Sequence, residues 1–81
     1  MEGEVNIKTS IILLRCDFNQ ELYELTKAAV QTLKGADQNI LIDNASTVGE
    51  IDDWADITVR NKVNKGYTGG VNQGLKLIYY S

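Results

Sequence analysis

Three short apolar runs, separated by stretches of a different period, do most to constrain how this chain folds. Ser10-Ile11-Ile12-Leu13-Leu14 is continuous rather than alternating, as expected of a strand covered by helices on both faces. Asn39-Ile40-Leu41-Ile42-Asp43 repeats that pattern, and Asp56-Ile57-Thr58-Val59-Arg60 reads as a third strand. Between the first two, Leu22, Leu25, Ala29 and Leu33 share one face of an amphipathic helix. Asp17 and Gln20 stand before it at capping-box spacing, and Gly35 is placed to close it. Thr47 and Glu50 form a second capping-box pair, which predicts a short helix that includes Ile51 and Trp54. Residues 61–70, with three of the seven glycines, read as a loop, after which Val71, Leu75 and Ile78 return at helical spacing. The order is βαβαβα, which predicts an α/β fold of three layers, with a parallel sheet, right-handed crossovers and helices on both faces.

A chain of 81 residues holds one domain and buries only about 60% of its unfolded surface. Residues 1–6 are polar and read as a flexible lead-in, leaving 7–81 as the single domain. The net charge of −3, with Lys and Arg scattered rather than clustered, argues against a nucleic-acid phosphate footprint. Cys16 is the only cysteine and there is no histidine, so an intrachain disulfide, a thiol-based zinc site and His-dependent triads are all excluded within these residues. That usage fits a reducing compartment, and a cytoplasmic location is expected. No apolar run approaches the length of a signal-peptide core or a membrane span.

In parallel α/β sheets ligands sit beyond the carboxyl ends of the strands. Here those ends are residues 15–19, 43–46 and 61–72, where polar residues and glycines concentrate. Asp43 ends an apolar strand, and its carboxylate can accept from a nucleobase imide or a ribose hydroxyl, or it can cap the turn that follows. The stretch Asn64-Lys65-Gly66-Tyr67-Thr68-Gly69-Gly70-Val71-Asn72-Gln73-Gly74 puts small residues directly before a helix. Such a segment admits a diphosphate against backbone N–H groups, or it is a tight connection whose glycines supply positive φ and close helix–sheet packing. It is not a P-loop, because no Gly-Lys-Ser/Thr follows. Nor is it a dinucleotide fingerprint, because no glycine lies in residues 15–19. Asp52-Asp53 reads as a solvated helix face rather than a metal site, Cys16 as a small packing residue, and Trp54, Tyr79 and Tyr80 as core or interface aromatics.

Three segments in this order resemble the family-2 type nucleotide-sugar glycosyltransferases with a GT-A fold. They are Thr9-Ser10-Ile11-Ile12-Leu13-Leu14 leading to Asn19; Ile40-Leu41-Ile42-Asp43-Asn44-Ala45-Ser46; and Arg60-Asn61 followed by Asn64 to Leu75. The resemblance covers nearly the whole chain after the lead-in and implies the amino-terminal, nucleotide-binding half of a GT-A/Rossmann-like fold. It implies a site for a nucleoside-diphosphate sugar formed by Asp43, with Asn19, Asn44, Ser46, Asn64, Gly66, Gly70 and Asn72. Asp43 would contact the N–H edge of the base, and no residue here is assigned to catalysis or to metal.

The family's Asp-x-Asp metal motif is expected on a strand just after Ser81, and its catalytic base further on. Sugar transfer needs a neutralised diphosphate leaving group and an activated acceptor hydroxyl. No cofactor is therefore expected within these residues, a divalent Mg or Mn ion is expected only in a longer relative, and the isolated chain is expected to bind nucleotide weakly without catalysing transfer. The segment after the first strand, Arg15-Cys16-Asp17-Phe18-Asn19, is longer and more charged than the family's short turn. The first strand would also be left as an exposed apolar edge, so a homo-oligomer is expected. The alternative reading is a small self-associating α/β interaction module without catalytic activity.

Overall fold

The computed structural model describes residues 9–33, 36–51 and 53–80. The lead-in of residues 1–6, the helix-closing role expected of Gly35, Asp52 of the acidic pair and the side chains of Tyr79 and Tyr80 lie outside what is described. The elements are β1 (Ser10–Arg15), α1 (Gln20–Val30), β2 (Gln38–Asn44), β3 (Ile57–Asn61) and α2 (Gly66–Tyr80). The strands form a parallel sheet in the order β1-β2-β3, so the fold is the expected α/β arrangement.

Register determines which side chains share a face. Ile12 lies beside Ile40 and Leu14 beside Ile42, while Ile40 lies beside Ile57 and Asn44 beside Asn61. Strand alternation puts these on the face that α2 covers. Arg15, Asp43 and Arg60 align on the opposite face, and the Arg15 guanidinium there lies 5.6 Å from the centre of the Tyr23 ring of α1. The sheet therefore has a helix on each side. Its centre is β2, where Ile40, Leu41 and Ile42 are at most 1% exposed; burying each is worth roughly 2 kcal/mol.

The amino-terminal edge of the sheet uses one device twice. Asp37 donates its N–H to Thr9 O and accepts from Thr9 N through Oδ2, both at 2.8 Å. Asp56 does the same with Asn39, again at 2.8 Å in both directions. Each aspartate thus joins the start of one strand to the approach to the next.

Three local expectations are corrected. The cap of α1 is Asn19, whose Oδ1 accepts from Leu22 N at 2.8 Å, and not Asp17. Asp17 is instead buried against Arg15. No helix forms among the described residues between β2 and β3. Ala45 and Gly49 take positive φ there, and the amides of Thr47 and Val48 both donate to Asp17 O, which ties the segment down in an irregular path. Ile51 is its buried anchor, and Trp54 donates its indole N–H to Leu33 O at 3.2 Å. Lastly, α2 starts at Gly66, so Gly69 and Gly70 are helical rather than part of a loop. No helix among the described residues is long and apolar enough to cross a membrane.

Candidate functional site

The carboxyl ends of the three strands converge through side chains. Asp43 is 8% exposed, and its Oδ1 accepts from Ser46 N at 2.8 Å, closing a turn in which Ala45 has φ +67°. Ser46 Oγ in turn accepts from Asp17 N at 2.7 Å. This relay fastens the end of β2 to the residues just past β1. One carboxylate oxygen of Asp43 therefore has the turn-capping role that was one of its two readings.

Asn44 fastens β2 on the other side. Its Nδ2 donates to Gly66 O at 3.0 Å, while its Oδ1 accepts from Lys65 N at 2.9 Å and from Asn61 Nδ2 at 3.0 Å. Asn61 and Gln73 exchange a reciprocal amide pair at 2.7 and 2.9 Å, joining β3 to α2. Asn44 is 2% exposed, so its whole amide is engaged inside the protein. Neither Asn61 nor Gln73 was singled out in the sequence, because nothing in spacing marks partners twelve or more residues apart.

Asn64 bridges the β3–α2 turn to the end of β1. Its Nδ2 lies 3.3 Å from Cys16 Sγ and its Oδ1 accepts from Gly66 N at 2.7 Å. Gly66 has φ +75° and faces open space, so the chain turns into α2 at an exposed point. The first N–H groups of a helix have no intrahelical acceptor and carry the positive end of its dipole. Here the amides of Lys65 and Gly66 are taken by Asn44 and Asn64, and those of Tyr67 and Thr68 come next in line.

Asp43, Asn44, Ser46, Asn64 and Gly66 are thus brought to one edge of the sheet. Asn19 stands at the start of α1 with its side-chain oxygen engaged as the cap. Gly70 is buried, where a Cβ would overlap Leu14 Cδ1, so it serves helix–sheet contact. Asn72 is exposed on α2, on the side turned from the sheet. A separate groove of about 360 Å³ lies between α1 and the irregular segment, lined by Lys27, Val30, Ile51, Asp53 and Trp54 among others. Its lining includes none of the residues expected to contact nucleotide. Among the described residues, no three His, Cys, Asp or Glu side chains are grouped to hold a metal ion. Compared with known proteins, the chain matches no family model, no curated protein and no solved structure.

Proposed function

We propose that the chain binds a nucleoside diphosphate, as the donor-nucleotide part of a sugar-transferring enzyme, at the carboxyl edge of its sheet. The observation that carries this reading is the convergence of Asp43 and Ser46 with the exposed start of α2 at Gly66, held together by Asn44 and Asn64. A carboxylate at the end of a strand suits a base or ribose, and a glycine-led helix start suits a phosphate. No residue described here is assigned to the sugar, the acceptor or the catalytic step. A second reading, an interaction module that keeps the fold without the chemistry, draws on the internal engagement of Asn44 and the packing role of Gly70.

Titration of the labelled chain with uridine and guanosine diphosphates in magnesium, followed by amide shifts, separates the two. The donor-site reading expects saturable shifts at Asp43, Ser46 and Gly66 that Asp43→Asn weakens. That variant keeps an oxygen to accept from Ser46 N, so the turn survives. A folded protein whose spectrum does not respond to either nucleotide leaves the interaction-module reading.

A further inference from the structure

We draw no further inference here: the strongest candidate, the groove between α1 and residues 49–54, carries nothing, because the polar groups of Lys27, Glu50 and Trp54 on its walls are already engaged within the chain by Glu24, Arg60 and Leu33, and nothing in the structure shows what covers it.

Discussion

Arg15 Nε lies 2.8 Å from Asp17 Oδ2, with the two side chains 1% and 6% exposed, so the end of the edge strand holds a buried ion pair. The pair is a junction. Arg15 Nη2 also donates to Val48 O at 2.6 Å, and Asp17 Oδ1 accepts from Thr26 Oγ1 of α1 at 2.9 Å. Between them these two residues hold β1, α1 and the β2–β3 segment in register, a task that the modest apolar core leaves to polar contacts.

Breaking this pair from one side leaves an uncompensated buried charge. Arg15→Met should therefore cost about 3–5 kcal/mol, a large share of the roughly 5–15 kcal/mol typical of a domain. Adding Asp17→Asn to that variant should recover part of the loss, because the stranded carboxylate is removed. Urea unfolding of the two variants measures the difference. A double variant no more stable than Arg15→Met alone would mean the charge is not what destabilises.

Asn44 gives a sharper test, because both ends of its amide are in use. Asn44→Asp keeps the acceptor for Lys65 N and Asn61 but turns an oxygen toward Gly66 O, where a donor is required. Asn44→Ala leaves those groups without their partner, at about 1–3 kcal/mol for the buried ones. Both should destabilise, and Asn44→Ala, which removes the acceptor, should speed hydrogen exchange at Lys65 N. Exchange at Lys65 as slow as in the parent chain would show that water or a rearranged turn replaces Asn44.

How much of this was legible depended on whether the cause was local. Ile40-Leu41-Ile42 announces a strand buried on both faces, and the sheet follows from three such runs. The start of α1 was misplaced because Asp17 and Gln20 have capping spacing, yet Asp17 is claimed by Arg15 and Asn19 is free to cap. The helix expected at Thr47 fails for a reason that spacing does not show: Gly49, in what would be its first turn, takes φ +74°, outside the right-handed helical region. Glycine propensity made residues 66–70 look like a loop, and contact with β1 overrides it. At the candidate site Asp43 and Gly66 could be picked from their positions at a strand end and a helix start, but the Asn44–Asn61–Gln73 network could not.

Gly74 shows that override at its tightest. A Cβ there would stand 2.7 Å from Ile12 Cγ2 and 2.9 Å from Cδ1. Cγ2 sits on the branched Cβ, which has little rotamer freedom. Gly74→Ala gains about 1 kcal/mol of helix propensity but overpacks at about 1–3 kcal/mol, so the net effect should be destabilising. Thermal unfolding decides it; a rise in midpoint would mean α2 can move off β1 at no cost.

Gly49 combines two separable constraints. Its φ of +74° is unfavourable for any residue with a Cβ, and that Cβ would also overlap three atoms of the Tyr23 ring. The ring cannot simply swing away, because its hydroxyl donates to Glu50 O at 3.1 Å and its face receives Arg15 and Lys27 at 5.6 and 4.9 Å. Gly49→Ala should therefore cost clearly more than the 1–2 kcal/mol or so of backbone strain alone. In a Tyr23→Ala background the steric part disappears, and the same substitution should cost only that backbone share. A double-mutant cycle by urea unfolding isolates the coupling between the two positions. Equal cost of Gly49→Ala in both backgrounds would mean that the ring already yields, and that the segment from Gly49 to Trp54 is held by Ile51 and not by Tyr23.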